Sequence, residues 1–319
     1  MYYSPAPMHI PDGFLSLMIS MVFWAFTILL DGIAIARTNK ALGERQVPLM
    51  GIMAAFIFAA QMINFPVAGG TSGHLLGGAL AAITLGPWAG MLVMTAVIAV
   101  QALLFQDGGL VVMGANIFNM GLLTAAVGYG LYRSVLGRNT ATKLAVAGVA
   151  AWISVITGAL FTSLELWLSG TARLEIVVPA MLGVHTLIGL GEALITVAAL
   201  AFIFRTRPDL LGEGSASSQG GLGWVLAGLV IALVVVLFSP LASADPDGLE
   251  RVAGDLGFLQ TGQSAPYQII PDYTIPFLGQ TPLSTIAAGA IGVLVLMGLL
   301  FLVGRSLQKK SNQTPGAQR

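Results

Sequence analysis

Eight apolar stretches, each about as long as a membrane is thick, constrain this chain more than any other feature. They run over 15–36, 47–65, 88–106, 111–132, 144–163, 176–204, 222–244 and 283–304. A helix rises about 1.5 Å per residue and needs roughly 20 apolar residues to cross the hydrocarbon. Composition agrees: 9% of the 319 residues are charged, against about 25% in a soluble domain. Too few charges remain to coat a water-facing surface, so lipid must cover much of it. The predicted fold class is an all-α integral membrane protein of the cell membrane. The formal net charge is zero, which argues against a nucleic-acid partner, since those need a basic face. There is no cysteine, which removes thiolate metal sites, iron–sulfur clusters and disulfides. A bound metal must use nitrogen, oxygen or a methionine thioether.

Residues 1–14 lack the basic start and apolar core of a signal peptide, and the first apolar stretch is expected to direct insertion by itself. A ninth stretch, 75–86, is only twelve residues long and reaches about 18 Å. Charge placement decides how to count it. With the N-terminus outside and this stretch crossing, Arg37, Lys40, Arg45, Arg133, Arg138, Lys143, Arg205, Arg207, Arg305, Lys309, Lys310 and Arg319 lie inside. Only Arg173 and Arg251 lie outside, 12 against 2; without that crossing the split is 5 against 9. Cytoplasmic loops carry the excess of Lys and Arg, so nine crossings are predicted, N-out and C-in. A short third helix obliges the glycine-rich segment before it, 66–74, to dip below the outer surface. Irregular backbone is tolerated there only inside protein or along a cavity, which puts His74 in an outward-facing pocket.

The chain divides at a polar linker. Residues 8–208 hold seven crossings, 209–221 form the cytoplasmic linker, and 222–304 hold two more around an outer loop, 245–282. A polar tail, 305–319, follows. The outer loop carries Asp245, Asp247, Glu250, Asp255 and Asp272.

Two of the three histidines, His9 and His74, fall on the outer side; the third, His185, lies inside an apolar stretch. Neutral imidazole is a good ligand for nickel, copper, zinc and iron. If the chain begins at Met8, its free amine, the His9 amide and the His9 imidazole can chelate one ion, and His74 supplies a fourth nitrogen. Four nitrogens in a plane suit Ni(II) and Cu(II). The competing reading makes each histidine a hydrogen-bonding or packing residue. Asn116 and Asn119 are candidates to orient the histidines, or else helix–helix contacts. Asp12 is expected to fold the N-terminal segment by binding backbone amides. His185 and Glu192, seven apart on one helix face, read as a polar packing or docking pair.

Four segments resemble the CbiM/NikM family in order. They are His9-Ile10-Pro11-Asp12-Gly13-Phe14-Leu15, Gly70-Thr71-Ser72-Gly73-His74-Leu75-Leu76-Gly77-Gly78, Gly114-Ala115-Asn116-Ile117-Phe118-Asn119-Met120-Gly121, and Gly183-Val184-His185-Thr186-Leu187-Ile188-Gly189 with Gly191-Glu192-Ala193. The likeness covers 8 to about 208. Pro246-Asp247-Gly248-Leu249-Glu250 is similar to the signature of the family's small companion subunit, here fused to the C-terminus. The resemblance implies the substrate-specific component of an energy-coupling-factor (ECF) importer for cobalt or nickel. It implies metal ligation by the Met8 amine, the His9 amide and imidazole, and His74. It also implies separate partners, two ATPase subunits and a transmembrane coupling subunit. The extension Met1–Pro7 departs from the family, since it leaves Met8 without a free amine; a start at Met8 restores it. No G-x-x-x-x-G-K-[ST] loop occurs and no H-E-x-x-H, so the chain is not read as an enzyme. The nickel or cobalt ion is substrate, and no cofactor is expected. The alternative is a proton-coupled secondary metal transporter with His185 and Glu192 as its relay.

Overall fold

A computed structural model describes residues 9–41, 46–211 and 222–313, and side chains throughout these except at 41, 222 and 307–313. Met8 and the linker at 212–221 therefore lie outside the described residues. The chain is mostly helical. Helices α1 (Leu17–Ala41) and α2 (Gln46–Gln61) lead into a hairpin, β1 (Phe65–Val67) and β2 (Thr71–Gly73). Then come α3 (Gly78–Leu85), α4 (Pro87–Leu104) and α5 (Met113–Asn116), which runs through a π-helical turn (Ile117–Leu123) into α6 (Thr124–Tyr132). Long helices α7 (Thr140–Leu168) and α8 (Leu174–Thr206) follow, then α9 (Leu222–Leu237), a short α10 (Gly248–Leu256) and α11 (Pro282–Gln313).

Among the described residues six helices are long and apolar enough to cross a membrane: α1, α4, α7, α8, α9 and α11. The other three expected crossings take different forms. Helix α2 has 16 residues, about 24 Å of rise. The stretch 111–132 is broken by the π turn. The short third stretch is helical only from Gly78, three residues later than its apolar composition suggests. Gly77 has φ +85°, a left-handed conformation that stops the helix from beginning earlier.

The hairpin is a departure from an all-α reading. Phe65 pairs with Gly73 and Val67 with Thr71, and the turn passes through Gly69 and Gly70 at φ +83° and +66°. Every residue from Thr71 to Leu85 is buried. The irregular backbone at 74–77 thus lies inside protein, the surroundings that spare it exposure to lipid.

Small residues let the helices approach closely. A Cβ on Gly78 would lie 1.9 Å from Thr124 Oγ1, so α3 packs against α6 almost backbone to backbone. Gly292 and Gly304 of α11 take in Phe58 and Val47 of α2 in the same way. Helix α1 turns Met18, Met21, Ile28 and Leu29 outward, each at least 60% exposed, as a lipid-facing helix does. One end of the bundle gathers the N-terminal segment, the hairpin, the α4–α5 connection and the C-terminal loop with α10.

Candidate metal centre

At that end the segment 9–14 is pinned along its length. Asp12 accepts the N–H groups of Leu110, Val111 and Val112 at 3.0, 2.8 and 3.1 Å. Asn116 grips Ile10 reciprocally: its Oδ1 accepts Ile10 N–H at 3.0 Å and its Nδ2 donates to Ile10 C=O at 3.0 Å. Gly109 N–H also donates to Ile10 C=O, and Gln263 N–H to Asp12 C=O. Three peptide groups of the segment, Ile10 N–H, Ile10 C=O and Asp12 C=O, are satisfied in this way, so the segment holds one path and delivers His9 inward, only 1% exposed.

His74 is held from three directions. Upstream, the Ser72 N–H and hydroxyl donate to the carbonyls of Pro246 and Asp245, each at 2.8 Å. Downstream, the Glu192 carboxylate accepts Leu76 N–H at 2.6 Å and Gly77 N–H at 2.9 Å. From α2, Gln61 donates to Leu76 C=O. Glu192 is thus a polar clamp between α8 and the loop before α3, and its two oxygens are occupied.

The rings of His9 and His74 meet edge to face with centroids 5.6 Å apart. An ion about 2.0 Å from a nitrogen of each ring puts the centroids roughly 4.5–6.3 Å apart, depending on the angle at the metal, so this pair can share one ion. Both rings border a cavity of about 70 Å³, more than twice the roughly 30 Å³ of a single water. His9 Nε2 is buried without a hydrogen-bond partner among the described residues, a state that costs free energy unless something ligates it. No three His, Asp or Glu side chains among the described residues converge on a preformed ion position.

The chain from residue 9 to 210 matches the family described as the cobalt uptake substrate-specific transmembrane region, CbiM. The chain belongs to the CbiM family. Residues 222–309 match the PDGLE domain, so the resemblance read from the motifs holds for both parts. A protein of Archaeoglobus fulgidus, provisionally named a fused nickel transport protein NikMN, is 37% identical over 302 residues, covering 93% of this chain and 98% of its own length. The cobalt transport protein CbiM of Geobacter sulfurreducens is 33% identical over 262 residues, 77% of this chain and 73% of that one. A crystal structure of a truncated transition metal transporter, 35% identical, superposes with a TM-score of 0.56, covering 62% of this chain and 98% of that one. The protein is a multi-pass membrane protein of a metal-transport family.

In this CbiM-family chain the electrostatics of His9 follow from its surroundings. Burial lowers its pKa below the ordinary 6.5; Asp107 and Asp247 oppose that, and His74 adds to it. Imidazole is therefore neutral, as a ligand must be, while two acidic groups stand near to offset a cation's charge. His9 Nδ1 donates to the Asp107 carbonyl at 3.1 Å and lies 3.5 Å from Asp107 Oδ1. A fused chelate with the His9 amide would draw Nδ1 away from that carbonyl.

Neither asparagine, expected either to orient the histidines or to make helix–helix contacts, makes a hydrogen bond to an imidazole among the described residues. Asn116 acts on the neighbouring Ile10 backbone, and Asn119 donates to Thr162 Oγ1 and Glu165 Oε2 on α7, a helix–helix contact. Both still border the cavity, brought there by the wide π turn; such turns are frequent at functional sites. His185, expected like Glu192 to make a polar packing or docking contact, donates Nδ1 to the Met181 carbonyl of its own helix and borders the same cavity. Sequence reasoning passed over Asp107, Tyr273, Leu249 and Glu165. For Glu165 a signal existed, an acid inside an apolar helix. Leu249 borders the cavity from α10, so the C-terminal domain contributes to its wall.

Proposed function

We propose that the chain is the substrate-capturing membrane component of an ECF-type importer for a divalent transition metal, nickel in preference to cobalt. The observation that carries this is the pairing of the buried His9 and His74 rings, centroids 5.6 Å apart, along one cavity. The full ligand set is the Met8 amine, the His9 amide and imidazole, and His74. Four nitrogens in a plane favour nickel over cobalt, and selectivity over copper rests on access and delivery. The chain crosses the membrane nine times, N-out and C-in, as the distribution of Lys and Arg supports. It works as a metal-binding domain, 8–208, a linker, 209–221, and a two-helix domain, 222–304. The outer loop of that second domain is hydrogen-bonded to both ligand-bearing segments, which supports a role in admitting or retaining the ion. Transport is driven by two separate ATPase subunits and a transmembrane coupling subunit. Glu192 is fully engaged by two backbone amides, which argues against its service as a proton relay.

Uptake of radiolabelled nickel tests the reading. Cells making this chain with its ATPase and coupling subunits accumulate nickel, and lose it when the ATPases are inactivated. Uptake by the chain alone, abolished by a proton uncoupler and indifferent to ATPases, would instead mark a secondary transporter. Deleting 209–319 without loss of uptake would remove the role given to the outer loop.

A further inference from the structure

Among the described residues only three other than glycine hold a left-handed backbone: Gln106 at φ +56°, Asp272 at +48° and Tyr273 at +54°. All three lie in one junction, where the loop between α10 and α11 meets the end of α4. Such conformations cost free energy and persist where the surroundings over-determine them. Here the surroundings are hydrogen bonds. The last carbonyls of a helix have no partner within it, and this loop supplies partners at the end of α4. Tyr267 O–H donates to Leu103 C=O at 2.9 Å, Ile270 N–H to Leu104 C=O at 3.2 Å, and Asp272 N–H to Phe105 C=O at 3.0 Å.

Gln106 stands just past this turn, in the left-handed position after a helix that glycine usually takes. A glycine would hold it without strain; a glutamine needs compensation from its side chain. That side chain is buried and bridges the two parts. Its Nε2 donates to Leu103 C=O at 3.2 Å, and its Oε1 accepts Ile269 N–H at 3.2 Å. The next residue, Asp107, presents its carbonyl to His9 Nδ1 at 3.1 Å. At Gly108 a Cβ would lie 2.9 Å from the Cβ of His9. The backbone at 106–108 therefore runs against His9, and a rotation at Gln106 is felt there.

We propose that Gln106 is a positioning residue for metal capture, which passes the hold of the C-terminal domain on α4 to the His9 ring. This rests on the metal-capture reading above and leaves its ligand set as it stands. Gln106 touches no ion. Its backbone sets the direction of the Asp107 carbonyl, and its side chain ties that direction to the loop between α10 and α11. The His9 ring is held in place while the loop stays docked. When the loop lifts, Gln106 loses the bond that offsets its strain, and the carbonyl is free to swing from the ring.

Nickel release to a chelator, measured on the full chain in detergent, tests this with Gln106→Gly and Gln106→Asn. Both replacements accept the left-handed backbone, and neither reaches Ile269 (asparagine is one methylene short). If the position served only to turn the chain, relief of strain would leave release unchanged or slow it. The expected result is release about three- to tenfold faster in both, the span of one neutral hydrogen bond. Combined with Tyr273→Phe, which loosens the same loop, either substitution is expected to add less than its separate effect. Unchanged or slower release, or full additivity with Tyr273→Phe, would overturn the role of Gln106. In the metal-free chain both variants are expected to lose hydrogen-exchange protection at the Ile10 amide, and unchanged protection would also overturn it. Wild type that holds no nickel would overturn the capture reading, and the exchange at Ile10 then decides the role of Gln106 by itself.

Discussion

The Tyr273 hydroxyl donates to the Asp107 carboxylate at 2.7 Å, and Asp107 in turn holds the His9 ring through its carbonyl. A residue in the loop between α10 and α11 thus stands two contacts from the His9 imidazole, a proposed metal ligand. Tyr273 is buried and stacked on Phe105, centroids 4.8 Å apart, so the contact is rigid. Tyr273→Phe keeps the stacking and deletes this hydrogen bond together with the one the hydroxyl accepts from Gln101 Nε2. A hydrogen bond to a charged group contributes about 1.5–3 kcal/mol. Nickel release measured by chelator competition is expected to quicken by about tenfold or more, the equivalent of 1.4 kcal/mol per decade.

Asn116→Ala removes both bonds to the Ile10 backbone and leaves the buried Ile10 N–H without a partner, while its C=O keeps Gly109 N–H alone. The expected cost is about 1–3 kcal/mol, concentrated in the N-terminal segment. Hydrogen exchange reads it: the Ile10 amide is expected to lose protection while α7 and α8 keep theirs.

Gly109→Val tests the same segment by steric means. A Cβ at Gly109 would lie 2.2 Å from Asp12 N, so the α4–α5 connection and the N-terminal segment cannot both keep their places. Metal retention is expected to fall severely, with the helix content measured by circular dichroism little changed. Normal retention would mean that the segment's path is not needed for capture.

Two groups outside the spans give the capping loop opposing responses to pH. Burial pushes the Asp247 carboxyl up to about 7 from 3.8; the Glu250 amide and His9 oppose this, and Glu250 and Asp107 add to it. A raised carboxyl binds more protons folded than unfolded, so its contribution is complete below pH 3.8 and is lost as the pH climbs to about 7. His9, held below 6.5 by burial, acts the other way: stability is lost as pH falls below 6.5. Amide protection in α10 is expected to fall between pH 5 and 7.5 in wild type and to fall much less in Asp247→Asn, both read by hydrogen exchange.

The helices and the site were legible to different degrees. Long apolar runs marked α1, α7, α8 and α11 because lipid leaves a continuous apolar sequence. The start of α3 was not legible, because it depends on Glu192, 115 residues from Gly77 in sequence. The hairpin escaped because Gly-Gly-Thr-Ser-Gly carries no alternation of apolar and polar residues. His9 and His74 stood out as rare residues on one side of the topology. His185 was placed with Glu192 because helical spacing puts them on one face, but spacing cannot say that the cavity ends between them. Asp107 and Tyr273, 166 residues apart in sequence, meet only through the fold.

The ion is proposed to sit between His9 and His74. Crystals of the full chain loaded with nickel, measured on either side of the nickel absorption edge, locate it directly. The expected result is one strong anomalous peak within bonding distance of both rings, lost in His74→Ala. A peak elsewhere, or none in protein that retains nickel in solution, would contradict the account.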